Sequence, residues 1–246
     1  MIQFPSRHHR SISSFRLTTT PPTGLHPKLE LSIPGKLVSP LDYGDCTLNA
    51  YFTLPRALFV DKYQLSADNQ QLLDSLGIKR LRAVSGETDL EAPAWTRDKW
   101  GSRVLIELDI EKGDGIKIGL PLHLRYLEPR LQGPPSRVEF AWPSVFWACR
   151  SNEWSRMGIN PFDRVHLGWE DLFPEQVMFY HLTPDVPDGG EGTWSSIEVP
   201  VLGLESAVIV KVGTAVVVAL GFFWVLIRVF VARFVGVGGR EGIKRE

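Results

Sequence analysis

The first pattern along the chain is a period of two. Cys46, Leu48, Ala50 and Phe52 alternate with Thr47, Asn49 and Tyr51, as expected of a strand with one face turned to a core. Val104, Ile106, Leu108 and Ile110 alternate with Leu105, Glu107 and Asp109, and Leu122, Leu124 and Tyr126 with His123 and Arg125. The run ALFVDKY over 57–63 suits a pleated, half-buried surface, and residues 29–33, 177–182 and 196–201 read as further strands. Turn chemistry separates them: Pro34 with Gly35, then Gly113, Asp114 and Gly115, then Gly133, Pro134 and Pro135, then Pro187, Asp188, Gly189 and Gly190. One helix is predicted in this region, over 67–76. Short strands so punctuated predict a mainly β domain over 25–204, an antiparallel β-sandwich-like or barrel-like arrangement. No internal repeat with a period of about 20 to 50 residues is present.

The alternation stops at residue 207. Residues 207–227 read AVIVKVGTAVVVALGFFWVLI, 21 residues with Lys211 as their only charge. At about 1.5 Å each they make a helix of roughly 30 Å, the thickness of a hydrocarbon core. Its many β-branched residues form helices poorly in water, but lipid requires every backbone group to be satisfied within the segment. Lys211, one turn inside the amino-terminal end, can reach the headgroups by snorkelling. The alternative, a buried core helix, fits poorly with an apolar surface on every side. Gly213 and Gly221, eight apart, and Ala215 and Ala219, four apart, are read as two nearby faces that permit close helix approach. Plain lipid contact suits the same spacing.

Charge sharpens this division. A formal net charge of −1, with 43% hydrophobic and 22% charged residues, describes a soluble chain on average. It excludes a globally basic nucleic-acid binder and an acidic disordered protein. Yet residues 1–206 carry 21 Lys and Arg against 26 Asp and Glu. The tail 228–246 holds Arg228, Arg233, Arg240, Lys244 and Arg245 against Glu241 and Glu246. Basic residues just past a span favour the cytosol, which sends the large domain across the membrane. A charged segment follows the apolar stretch, so its form is not that of a glycosylphosphatidylinositol (GPI) attachment signal. Residues 1–24 are basic and rich in Ser, Thr and Pro, lack the apolar core of a signal peptide, and are expected to be disordered. Three readings stay open: a single span that translocates the domain, a tail anchor with a cytosolic domain, or a truncated gene start.

Candidate chemistry is sparse. GDGIKIG over 113–119 resembles a phosphate-binding loop, but such a loop needs a helix after it. Ile116, Lys117 and Ile118 alternate like a strand instead, so a hairpin is expected. Glu107, Asp109 and Glu111 could hold a cation for a nucleotide-sugar; the favoured reading is the solvated face of a strand. His8, His9, His26, His123, His166 and His181 show no metal-motif spacing, and His123 is expected to be exposed or hydrogen-bonded. No nucleophile elbow is present. Two cysteines, Cys46 and Cys149, exclude a disulfide-stapled miniprotein and a four-cysteine zinc site. No catalytic, cofactor-binding or metal-ligating residue is assigned, and no cofactor is expected. Trp142, Trp147, Trp154 and Trp169 lie near Phe140, Phe146 and Phe162. The favoured reading is a core edge with loops; the alternative is a surface for a partner or for headgroups.

Four segments in order carry a resemblance. They are CTLNAYFTLPRALFVDKYQL over 46–65, LPLHLRY over 120–126, WPSVFWAC over 142–149 and IEVPV over 197–201, just before the span. Together they resemble the PIG-X family, which includes mammalian PIG-X and its fungal protease-B-nonderepressible counterpart, over roughly residues 26–230. The resemblance implies a single-pass endoplasmic-reticulum membrane protein with a lumenal domain and a cytosolic tail. It further implies a non-catalytic, stabilising partner of PIG-M, the multi-spanning enzyme that adds the first mannose to the GPI precursor from dolichol-phosphate mannose. The expected partners are that catalytic subunit and ER membrane lipid, with no nucleic acid.

An oxidising lumen implies in turn a Cys46–Cys149 disulfide closing a loop of about a hundred residues, worth about 4–5 kcal/mol in the chain-entropy model. Two buried free thiols are the alternative. Family members are often N-glycosylated, whereas Asn49, Asn69, Asn152 and Asn160 stand in no sequon. Other function classes remain open: an ER membrane chaperone-like protein with several clients, or a tail-anchored adaptor with a cytosolic domain. An independent glycosyltransferase would require activity without a multi-spanning partner.

Overall fold

Alternating side chains build most of this molecule. The computed structural model describes residues 8–20, 24–35, 37, 39–40, 45–86, 89–97, 100–110, 115–131, 136–150, 169–173, 176–187, 192–201 and 203–238. Glu111, Asn152, Trp154, Asn160, Phe162 and His166, and the turn at 133–135, lie outside the described residues. The strands begin with β1 (His8–Thr20), β2 (Lys28–Ile33), β3 (Cys46–Pro55) and β4 (Leu58–Phe59). A 3₁₀ turn over Ala67–Asn69 leads into α1 (Gln70–Leu76), followed by β5 (Ile78–Gly86), β6 (Trp100–Leu108), β7 (Ile116–Pro121) and β8 (His123–Leu124). Then come β9 (Ser136–Ala141), β10 (Ser144–Arg150), β11 (Val177–Pro184), β12 (Trp194–Val199) and α2 (Leu204–Gly238).

Eight strands share one sheet in the order β5-β6-β3-β10-β11-β1-β2-β7. Every neighbouring pair is antiparallel except β1 with β11, which is parallel and corrects the all-antiparallel expectation. Hairpins enforce antiparallel pairing, but β1 and β11 lie at opposite ends of the β domain and no tight turn sets their direction. The inner face is the alternating set: Leu48, Ala50, Phe52 and Leu54 of β3 are buried. Leu48 stands opposite Trp147, and Ala50 opposite both Val145 and Ile106. A two-stranded ribbon, β9 with β12, packs against β3 and β1 and buries Val138, Phe140, Ile197 and Val199. That ribbon supplies the second layer of a sandwich-like core.

Residues 8–20 are a strand rather than a disordered leader, which corrects the expectation for that part of 1–24. Phe15 and Leu17 are its two apolar anchors in the core, 2% and 4% exposed. Among Ser, Thr and Arg neighbours, so few apolar positions make a weak periodic signal.

The sheet curls until its edge strands, β5 and β7, both meet α1. Leu73 and Leu76 are the buried residues of that helix, and Gly77 ends it in the left-handed region at φ 73°. Its amide donates to Asp74 O, and its own carbonyl accepts from Asp109 N at 3.0 Å. A Cβ on Gly77 would stand 2.7 Å from the Lys117 carbonyl of β7. Here the backbone leading into β5 lies close against β7, and only glycine fits.

Residues 129–134 and 201–246 form a separate compact unit. Leu204 N donates to Arg130 O at 2.8 Å, which satisfies one of the orphan amides of α2. The helix runs 35 residues, and Leu204–Arg233 is long and apolar enough to cross a membrane. This suits the chain to single-pass membrane anchoring. The helix runs on beyond the predicted span 207–227 and includes Arg228 and Arg233.

Gly77→Ala combines a positive φ with that 2.7 Å approach, and is expected to cost about 1–3 kcal/mol of stability. Gly24→Ala, at φ 47° with nothing within 4 Å of the added Cβ, is expected to cost less. Denaturant unfolding of both variants in detergent measures the difference.

Candidate functional site

Strand register places six side chains in one row across the outer face of the sheet. Arg80 of β5 stands opposite Glu107 of β6, and Glu107 opposite Asn49 of β3. Asn49 then faces Phe146 of β10, Phe146 faces His181 of β11, and His181 faces Arg10 of β1. The row is polar and paired at one end and aromatic in the middle.

At the polar end Glu107 is only 2% exposed. Its carboxylate accepts from Arg80 Nε at 2.7 Å and pairs with Lys79 Nζ at 3.4 Å. This overturns the solvated-face expectation for Glu107: two cations of the neighbouring strand stabilise its charge out of water. Asn49 is fully buried. Its amide nitrogen donates to Thr47 O and Oγ1 at 2.9 and 3.0 Å, and its oxygen accepts from Arg82 at 3.1 Å. Arg82 also donates to Leu172 O at 2.9 Å and lies 4.4 Å above the Phe173 ring. Burial lowers its pKa, Glu107 raises it and Arg80 lowers it again.

In the aromatic middle, Leu105, Phe146, Ala148 and Phe179 are covered by Trp169 and Phe173. Phe173 meets Phe146 and Phe179 edge-on at 5.9 and 5.4 Å, and Trp169 meets Tyr51 edge-on at 6.1 Å. Such T-shaped contacts add to the burial itself. Trp147 and Phe140 are buried, while Trp142 is half-buried and donates to Ser195 Oγ at 2.8 Å. The described tryptophans of this stretch are therefore framework.

The segment 120–126 builds a second cluster. His123 pairs in register with Phe59 and stacks on its ring at 5.3 Å. Its Nε2 lies 3.1 Å from Gln64 Oε1, and its Nδ1 lies 3.1 Å from His26 Nδ1. Burial lowers its pKa, the neighbouring His26 lowers it further, and Asp61 raises it. Arg125, 4% exposed, donates to the carbonyls of Asp89 at 2.6 Å, Ala92 at 2.9 Å and Leu90 at 3.3 Å. It thereby satisfies three carbonyls of one loop with a single guanidinium. The same guanidinium lies 4.4 Å from the Phe59 ring. Burial lowers its pKa, Arg97 lowers it too, and Asp89 raises it.

Cys46 and Cys149 stand directly opposite in the β3–β10 register and are joined, with Cα atoms 4.0 Å apart and a sequence separation of 103. On α2, Gly213, Ala215, Ala219 and Gly221 are exposed, and added Cβ atoms at the two glycines would meet nothing within 4 Å. At about 100° per residue, the glycine pair and the alanine pair fall on opposite sides of the helix. That corrects the reading of two nearby faces. Gly115, at φ 79°, is followed by β7 and not by a helix. The expected hairpin is not formed: Ile116, Ile118 and Leu120 of β7 stand opposite Ile33, Leu31 and Leu29 of β2, and β6 lies elsewhere in the sheet between β5 and β3. Among the described residues, no three His, Cys, Asp or Glu gather to hold a metal ion.

Sequence reasoning missed the histidine contacts. His8 Nδ1 meets His181 Nε2 at 2.9 Å across 173 residues, and His26 meets His123 across 97. No local pattern announces pairs so far apart; only the strand order brings them together. Phe173→Ala removes the ring shared by Phe146, Phe179 and Arg82, and is expected to cost roughly 3–5 kcal/mol. A denaturant-unfolding loss near zero would mean that 169–173 does not close this face.

The family model described as PIG-X / PBN1 matches residues 22–230. Protein pbn1 of Emericella nidulans is 44% identical over 255 aligned positions, which cover 96% of this chain and 48% of that protein. Protein pbn1 of Aspergillus fumigatus is 41% identical, covering 98% and 52%, and that of Neurospora crassa 39%, covering 100% and 48%. The chain thus spans about half the length of the curated relatives it matches.

Proposed function

The chain belongs to the PIG-X / PBN1 family, and from that membership we propose that it is a non-catalytic, stabilising subunit of the ER mannosyltransferase that adds the first mannose to the GPI precursor. The observation that carries the reading is the extent of the match, which runs from residue 22 through the β unit and the apolar helix to residue 230. The family's common unit is therefore a folded domain together with its anchor. Catalysis, and with it the dolichol-linked donor, falls to a multi-spanning PIG-M-type partner, since one helix supplies little of the enclosure a lipid-linked substrate needs within the bilayer.

On this reading the β unit is lumenal and the carboxy-terminal end cytosolic. Arg228, Arg233, Arg240, Lys244 and Arg245 beyond the apolar stretch support that orientation. The Cys46–Cys149 pair suits an oxidising compartment. One side of α2, the Gly213 and Gly221 side or the Ala215 and Ala219 side, packs against a partner helix at close range.

Protease treatment of sealed microsomes is expected to spare the β unit; its digestion would favour a cytosolic domain. Purification in mild detergent is expected to recover a stoichiometric mannosyltransferase, and recovery of a broad client set would favour a chaperone. Leu at both Gly213 and Gly221, or at both Ala215 and Ala219, is expected to reduce that recovery for one pair only. Full recovery with both would remove the helix from the interface. Cys46→Ala with Cys149→Ala is expected to lower stability by up to about 4–5 kcal/mol. Failure to find a 46–149 cross-linked peptide after non-reducing digestion would overturn the disulfide.

A further inference from the structure

We propose that residues 8–14, the first half of β1, form an acid-releasable strap latched to β11 by the His8–His181 contact. The strand is held in two different ways along its length. Its second half is anchored by Phe15 and Leu17 in the core and by a five-residue ladder with β2, from Arg16 to Thr20. Its first half buries no side chain: His8, His9, Ser11, Ser13 and Ser14 are intermediate, Arg10 is exposed and Ile12 is fully exposed. The parallel register with β11 also breaks between Arg10 and Ser14. Between the pairing at 8–10 and its resumption at Ser14 opposite Thr183, the strap is held by its amino-terminal end: the short ladder at 8–10, the stacking of His9 on Tyr180 at 5.0 Å, and the contacts of His8. His8 stacks on Phe179 at 5.3 Å and brings its Nδ1 to 2.9 Å from His181 Nε2.

A neutral imidazole offers one N–H and one lone pair, so this pair holds a single hydrogen bond. A proton on His181 leaves that N–H···N contact in place but puts a charge on a ring that the packing of β1 against β11 holds out of water. Several groups surround His181. From β1 come His8 and, opposite in register, the cationic Arg10. β10 supplies Ser144 Oγ at 3.5 Å and the Phe146 ring at 5.7 Å. Two residues along β11 lies Phe179, which meets Phe173 edge-on. Burial, and then the neighbouring His8, hold the His181 pKa below the usual imidazole value.

The sign follows from that direction. A histidine depressed in the latched state lets the latch hold above the unlatched pKa of about 6.5. As pH falls below that value, the unlatched form takes up a proton that the latched form refuses, and the equilibrium moves toward release. One such histidine shifts it by at most about tenfold between pH 7.5 and 5.5. Release leaves the β11 edge away from β10 without its partner strand.

Hydrogen exchange of the full chain in lipid nanodiscs, corrected for the intrinsic pH dependence of exchange, tests this. Protection of residues 8–14 is expected to fall between pH 7.5 and 5.5, by up to about tenfold, with residues 15–20 unchanged. His181→Gln keeps a polar partner for His8 but cannot charge, and is expected to abolish the pH dependence. His123→Gln, which touches the other histidine pair, is expected to leave it intact. Unchanged protection in the wild type would overturn the proposal, as would the same loss in His181→Gln or a loss spread over the whole sheet. If His181→Gln does not fold, His181→Phe, a ring of similar size that cannot charge, gives the same comparison.

Discussion

Strand β10 is buried on both of its faces, and most of the β unit follows from that constraint. From Val145 to Cys149 every side chain is in the core. A backbone so enclosed cannot be hydrated, so its amides and carbonyls need ladders on both sides. They find them in β3 and β11. Val145, Trp147 and Cys149 point to the inner face, where the β9–β12 ribbon closes the core. Phe146 and Ala148 point outward, and a cover for them is required too. Trp169 and Phe173 provide it. The outer face of this sheet is therefore a second, smaller core with a polar margin.

The buried polar groups make sense against that background. Glu107, Asn49 and Arg125 would each cost several kcal/mol if left unpaired in apolar surroundings, and the half-buried Arg82 somewhat less. Each is satisfied by a neighbour already fixed by register or by loop geometry. Arg82 joins two levels, because its guanidinium bonds both Asn49 of the sheet and Leu172 of the covering segment. Arg125 does the same for a loop, collecting three carbonyls beneath the Phe59 ring. Surfaces pinned in this way lose little conformational entropy when a partner docks. That property suits a subunit whose proposed task is to hold another protein in place.

The anchor obeys different physics. Lipid offers no hydrophobic gain for helix association, so close approach and polar contacts must supply it. The helix α2 presents small residues on two opposite sides, and either could let a neighbouring backbone approach closely. Lys211 and Arg228 are 17 positions apart, or about 25 Å along the helix axis. Long basic side chains at those two levels can both reach headgroups across a core of roughly 30 Å.

Periodicity and apolar length were enough to determine the mainly β domain, the helix near 67–76, the strand rather than helix after Gly115 and the carboxy-terminal span. Each is a local property carried by contiguous residues. The family resemblance was legible for a similar reason, since its segments are contiguous and keep their order. Tertiary structure alone decided that residues 8–20 are a strand, because two apolar anchors among Ser, Thr and Arg leave almost no pattern to read. It alone placed Glu107 in the core, since a carboxylate at an alternating position looks the same whether its neighbour strand brings water or arginine. The Arg80-to-Arg10 row and the His8–His181 contact exist only once strand order and register are set. Those depend on contacts between residues far apart in sequence, and no window along the chain contains both partners.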